Sequence, residues 1–181
     1  MPMLAFNNDP ALAEKIRVRV QAHYDADEII KGKYWEDGKG CAVGCIIHGS
    51  NHAAFEIELG IPEEIAFLMD GMFEALPDGA AKEFPRRFIN AVRPGADLSM
   101  IIPHFLLWLL SNPEDGIVTS VHDDKLKEFV DSVIELFEEW TRTGIRPLRD
   151  SGDAWDAWAA ARDAWVKRSA DKLIELLEET Q

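Results

Sequence analysis

Apolar residues recur at the spacing of an α-helix along most of the chain, and this periodicity constrains the fold more than any other feature of the sequence. It is clearest over residues 123–143, where the apolar side chains fall on one side of a helix that Gly144 ends. The alternation that is typical of strands is weak. The sequence therefore predicts an all-α fold, a single-domain bundle of about seven helices around one core.

Capping residues, prolines and glycines divide the chain into the predicted helices. The first begins with an Asx cap at residues 8–9 and with Pro10 in its first turn, and Gly32 can stop it. The others are 50–59 with Ser50 as its cap, one that opens at Pro62, 80–92, 99–110 with Ser99 as its cap, 123–143, and a long C-terminal helix over 153–179. Residues 1–181 are thus predicted to form a single helical domain, with 143–152 as a candidate connector before the C-terminal helix.

Acidic residues outnumber basic ones, 33 against 19, which gives a formal net charge of −14. Direct nucleic-acid binding and polybasic membrane anchoring both need a basic face, so this balance argues against both. The most apolar window, 101–110, is shorter than the ~20 residues of a membrane span. With no signal-peptide pattern and only two cysteines, the chain is predicted to be cytoplasmic with free thiols and no membrane partner.

Two cysteines and two histidines follow one another with the spacing C-x3-C-x2-H-x3-H. They are Cys41, Cys45, His48 and His52. Thiolate and imidazole are ligands that zinc takes, so the four residues are candidate metal ligands and zinc is the candidate cofactor. On a straight helix the first and last would lie roughly 16 Å apart along the axis, too far for one ion. A single four-ligand site therefore requires the helix to break, and Gly44 and Gly49 are the positions where it can.

Two other interpretations of this segment stay open. The same spacing is that of an ordinary buried helix stripe, and free cysteine is among the most buried residue types. A thiol enzyme is the other alternative, with Cys41 as the nucleophile and His48 or His52 as its base. If a helix begins near Gly40, its dipole would lower the pKa of the Cys41 thiol.

Tryptophan is concentrated in the predicted C-terminal helix, where Trp155, Trp158 and Trp165 lie close to one face. Such a face packs in a core or forms an interface, because tryptophan anchors both. A homodimer through this helix is the interface alternative.

Carboxylates are spread along the predicted helices in a way that suits a charged binding face. The candidates are Asp131, Glu135, Glu138 and Glu139 on one helix and Asp153, Asp156 and Asp163 on the next. Faces of this kind can imitate nucleic-acid phosphates and block a basic groove on a partner protein.

The segment from Trp35 to Cys45 has the pattern W-x2-G-x-G-C-A-V-G-C. Together with Phe84 and Pro85, residues 95–99 and the Ala/Trp-rich helix before 170–173, it resembles a family of small uncharacterised bacterial and prophage proteins. The resemblance covers most of the chain. It implies a phage or mobile-element setting and carries no catalytic residue or cofactor with it.

The sequence as a whole favours a non-enzymatic, acidic helical protein that acts by binding a partner protein. One such function is that of a phage-type inhibitor of a host system. The alternative is a metal- or thiol-dependent enzyme centred on the cluster of Cys41, Cys45, His48 and His52.

Overall fold

Helices dominate the computed structural model, which describes residues 3–114, 116–146 and 169–180. Over these residues the chain forms eight α-helices and one small two-stranded sheet. The all-α prediction is confirmed, and the number of helices agrees with the predicted bundle of about seven.

The α-helices are α1 (Pro10–Asp25), α2 (Ala42–Ile47), α3 (Ala53–Leu59), α4 (Glu63–Ala75), α5 (Asp78–Ala91), α6 (Ile101–Ser111), α7 (Asp124–Thr143) and α8 (169–179). The two strands, β1 (Trp35–Glu36) and β2 (Lys39–Gly40), form an antiparallel hairpin between α1 and α2. Short 3-10 helices occupy Ala5–Asn8 and Ile117–Ser120.

The described residues group into two compact units. One contains residues 3–99 together with 169–180, and the other contains the described residues from 100 to 146. The single domain over 1–181 stays a prediction. The first half of the predicted C-terminal helix lies outside the described residues, and so do Trp155, Trp158, Trp165 and the 147–152 part of the connector.

Local signals placed the ends of two helices correctly. The side chain of Asp9 accepts the Ala11 N–H at 2.8 Å and caps α1. Asp123 caps α7 in the same way, and Gly144 ends that helix in the left-handed conformation with φ 69°. These ends depend only on neighbouring residues, which is why the sequence identifies them.

Other predicted ends were wrong. Helix α1 stops at Asp25 rather than near Gly32, because the chain turns at Asp27, which has a φ of 57°. Neither Ser50 nor Ser99 caps a helix, and α3 and α6 begin at Ala53 and Ile101. Helix α5 begins at Asp78, two residues before the predicted start.

The six-residue helix α2 is central to the first unit, where it contacts α1, α4, α5 and β2. Five of its residues are buried. The unit also buries large aromatic side chains completely or nearly so: Phe6, Phe55, Phe73, Phe84 and Phe88. Burial of this kind contributes roughly 1.5–3 kcal/mol for each large apolar side chain, so these rings stabilise the first unit.

The backbone just before the hairpin approaches α2 closely. A Cβ atom built on Gly44 would overlap the carbonyl oxygen of Tyr34 and lie 2.6 Å from its carbonyl carbon. A Cβ on Gly40 would overlap the same oxygen. Gly44 thus lies inside α2 and permits this close approach, whereas the sequence suggested it as a place where the helix breaks.

In the second unit, α6 packs on α7. The helix predicted over the most apolar window is confirmed, since α6 covers Ile101–Ser111, and it buries Phe105, Leu106 and Leu109. Across the part of the chain that the structure describes, no helix combines the length and the hydropathy that a membrane crossing needs.

We expect Gly44→Ala to lower the free energy of unfolding by about 3 kcal/mol, because the new methyl group meets backbone that cannot rotate away. Urea denaturation measures this change. Gly79→Ala is the matched control, since Gly79 also lies in a helix and has nothing within 4 Å of the added methyl group. The control should be neutral or stabilising by up to ~1 kcal/mol. Equal effects of the two substitutions would contradict the proposed packing.

Candidate functional site

The structure distributes the four predicted ligands along α2 and beyond it instead of gathering them. Cys41 is the N-cap of α2, Cys45 lies inside the helix, and His48 is its C-cap. His52 immediately precedes α3. Among the described residues, one group of three or more potential metal ligands has all its ligand atoms within 4.8 Å of one another, and of the four it contains Cys41 alone. The continuous α2 places Cys41 and His48 at its opposite ends, whereas His52 lies beside Asp70.

That group, here called the carboxylate–thiol cluster, consists of Cys41, Asp70 and Glu74. The two carboxylates lie one turn apart on α4, so both face the start of α2. Cys41 is 2% exposed, Asp70 is largely buried and Glu74 is exposed. The cluster therefore extends from the core to the surface.

Neighbouring groups hold the two carboxylates in place. The Nε2 atom of His52 lies 3.2 Å from Oδ2 of Asp70, and the backbone N–H of Gly32 donates to the Glu74 carboxylate at 3.2 Å. The other Asp70 oxygen, Oδ1, is buried and has no hydrogen-bond partner among the described residues. Burying a carboxylate oxygen without a hydrogen-bond partner costs free energy, and a cation bound to Oδ1 would offset that cost.

Two aromatic rings enclose His52. The Phe67 ring stacks on it with centroids 4.1 Å apart, and the Tyr34 ring meets it edge-on at 5.7 Å. Both rings are also accessible to solvent, at 51% for Phe67 and 44% for Tyr34. They form an apolar border beside the carboxylate–thiol cluster.

Burial, with a smaller contribution from the neighbouring Asp70 carboxylate, raises the pKa of the Cys41 thiol to about 12. The backbone amides of Val43 and Gly44 at the start of α2 act in the opposite direction, as a helix terminus should. Their effect is smaller than that of burial. The helix does begin beside Gly40, but the lowered pKa expected for a nucleophilic Cys41 is not what this environment produces.

The second cysteine has the environment of a core residue. The Cys45 thiol is fully buried and donates to the Gly40 carbonyl oxygen at 3.4 Å. Burial raises its pKa to about 12 as well. For Cys45 the structure favours the packing interpretation.

His48 meets a different set of residues, at the other end of α2. Its Nε2 atom lies 2.8 Å from Nε2 of His23 on α1, and we call these two residues the histidine pair. The Nδ1 atom of His23 lies 2.7 Å from the Glu28 carboxylate. The Trp35 ring stacks on His48 with centroids 4.3 Å apart. Backbone hydrogen bonds between Gly40 and residues 28 and 30 keep this segment next to the hairpin.

Sequence reasoning missed four residues of these two clusters: His23, Glu28, Asp70 and Glu74. A signal existed for Asp70 and Glu74, because two acids four residues apart share a helix face. For His23 and Glu28 the sequence offers no comparable signal, since their partner His48 follows in a separate element.

Comparison with known proteins found no matching family model, no similar curated protein and no similar solved structure. The resemblance to small bacterial and prophage proteins stays a prediction. Function is therefore inferred from the geometry of the two clusters.

We expect both thiols of the folded chain to react with iodoacetamide about a thousandfold more slowly at pH 8 than the thiols of the denatured chain. The thiolate is the reacting form, and raising the pKa from 9.0 to about 12 lowers its fraction by that factor. Mass spectrometry of timed samples measures the rates, with the same protein in guanidinium chloride as the reference. Rapid labelling of folded Cys41 would instead support a thiol nucleophile.

Proposed function

We propose that the protein is a metal-dependent enzyme of the hydrolytic type, and that Cys41, Asp70 and Glu74 hold its divalent ion. The observation that carries this proposal is the mutual approach of the three ligand atoms to within 4.8 Å. The unpartnered Asp70 oxygen supports it, because an ion would give this atom the partner that it lacks among the described residues.

The donor set favours zinc. Zinc accepts thiolate and carboxylate together, whereas calcium and magnesium prefer oxygen ligands alone. A thiolate beside two carboxylates would carry three negative charges, which a divalent cation offsets in large part. Metal binding also releases the thiol proton, so the high pKa of Cys41 in the free protein does not prevent ligation.

Three protein ligands are typical of a catalytic rather than a structural zinc site, in which four ligands close the coordination sphere. An ion with an open position supplies activated water for hydrolysis. Glu74 is exposed, so a substrate would reach the site from its side. Phe67 and Tyr34 border this approach and suit an apolar part of the substrate. His52, next to Asp70, is a positioning residue for that carboxylate.

Elemental mass spectrometry of the purified, untagged protein tests the metal. We expect Cys41→Ser and Asp70→Asn to hold about one zinc ion per chain fewer than the wild-type protein, because the first loses the thiolate ligand and the second loses the charge of a carboxylate ligand. Cys45→Ser is the matched control, since Cys45 is the other buried thiol but binds a backbone carbonyl instead. It should retain the ion.

Cobalt substitution separates loss of the site from loss of the fold. The wild-type protein and Cys45→Ser should show a thiolate-to-cobalt charge-transfer band, and Cys41→Ser should lack it while its circular dichroism is unchanged. Absence of metal from wild-type protein supplied with zinc, or equal zinc content in Cys41→Ser, would overturn the proposal.

A second candidate function is binding of a basic partner protein through α7, including the inhibition of a host system. Four carboxylates of α7 are exposed: Asp131, Glu135, Glu138 and Glu139. The opposite side of the helix buries Val130, Val133, Phe137 and Trp140, so the carboxylates stay directed to solvent. The other proposed acidic residues, Asp153, Asp156 and Asp163, lie outside the described residues.

Replacing these four α7 carboxylates by glutamine should abolish capture of a basic partner from a host lysate, because the attraction between the two charged faces is removed. Rising salt should weaken capture by the wild-type chain for the same reason. The control variant replaces four exposed carboxylates of the first unit by glutamine: Glu14, Glu58, Glu178 and Glu179. Capture that survives in the α7 variant, or that the control variant loses equally, would contradict this function.

A further inference from the structure

We propose that His23 and His48 form a second metal site, which binds an imidazole-preferring divalent ion through their two Nε2 atoms. The site uses none of the residues of the carboxylate–thiol cluster and does not depend on the function proposed for it. Its ligand class is different as well, because two imidazoles suit zinc, copper and nickel.

The two nitrogen atoms already converge. They lie 2.8 Å apart, although His23 comes from α1 and His48 ends α2. Zinc–nitrogen bonds of ~2.0–2.1 Å with a tetrahedral angle place two nitrogens about 3.3 Å apart. A small rotation of the exposed His48 ring would open the pair by that difference. The proton that lies between the two nitrogens would move to Nδ1 of His48, so that both Nε2 atoms present lone pairs to the ion.

Glu28 orients His23 in the manner of many metal-binding histidines. Its carboxylate lies 2.7 Å from Nδ1 of His23, so Nδ1 carries the proton and Nε2 keeps its lone pair in the neutral ring. Histidine ligands usually donate their second ring N–H to a carboxylate or carbonyl in this way, and the contact increases their basicity.

His48 is held in a backbone conformation that residues other than glycine adopt infrequently. It occupies the left-handed region with φ 53° and ψ 45° at the end of α2, where glycine or asparagine is the usual residue. The Trp35 ring stacks on the His48 ring and also meets His23 edge-on at 5.3 Å. The backbone conformation and the stacking together keep the His48 ring facing His23. Strained backbone of this kind occurs preferentially at functional positions.

Charged groups around the histidine pair both favour and oppose the binding of a cation. The negative charge of Glu28 favours a cation, whereas the Arg19 guanidinium, which donates to the Ile46 carbonyl oxygen at 2.7 Å, disfavours one. Burial lowers the pKa of His48, and Arg19 and His23 lower it further, so its ring is neutral and able to ligate at pH 7. Acidification should release the ion, because protons compete for the same lone pairs.

Zinc titration followed by long-range ¹H–¹⁵N NMR of the histidine rings tests this site. At pH 7.5 we expect the Nε2 resonances of His23 and His48 to shift together. The exposed His104 and His122 are internal controls and should not move. The same joint shift in Cys41→Ser protein would show that the pair binds independently of the carboxylate–thiol cluster.

Variants give the second readout. His48→Asn should weaken zinc binding at this site about a hundredfold or more, and asparagine tolerates the left-handed conformation, so the fold is preserved. Glu28→Gln should weaken it about tenfold, because the amide oxygen keeps the hydrogen bond but not the charge. His122→Ala should leave it unchanged. Zinc that shifts neither ring or only one, or that binds His48→Asn as tightly as the wild-type chain, would overturn the proposal.

Discussion

The contact between the Tyr34 carbonyl and α2 is the interaction on which both clusters depend. It requires glycine at positions 40 and 44, because a side chain at either would overlap that carbonyl oxygen. With the hairpin seated so closely, the ring of Tyr34 reaches His52 and the ring of Trp35 reaches His48. Gly40 and Gly44, the two glycines of the G-C-A-V-G-C segment, thus permit the close packing that brings these aromatic rings to the two clusters.

Local features of the fold were predictable from the sequence, and features that depend on distant residues were not. The amphipathic pattern and the caps of α7 involve residues only a few positions apart, and α1 begins where its Asx–Pro signal indicates. Serine is a common N-cap residue, but at Ser50 and Ser99 other side chains accept the nearby backbone N–H groups. Asn51 accepts the Ala53 N–H, and Asp97 accepts the Ser99 N–H. The two-residue strands are too short to show alternation.

The candidate sites were also predictable only in part. Cys41 and His48 could be identified as candidates from their residue types alone, and each belongs to one of the two clusters. Their partners come from α4 and α1, at sequence separations that no local spacing rule covers. The spacing of the four residues suggested a shared site, but an intact α2 places Cys41 and His48 at its opposite ends, so the segment contributes to two clusters rather than one.

Tyr34 and Trp35 are consecutive, yet their rings contact different histidines. Tyr34 immediately precedes β1 and Trp35 is its first residue, so a slip of one residue in the hairpin would change which ring each histidine meets. The glycine fit fixes the register of the hairpin and with it the identity of the ring that each histidine meets. An insertion or deletion of one residue between Lys33 and Gly40 would therefore alter both clusters at once. The amino-acid sequence of every helix in the first unit would be unchanged.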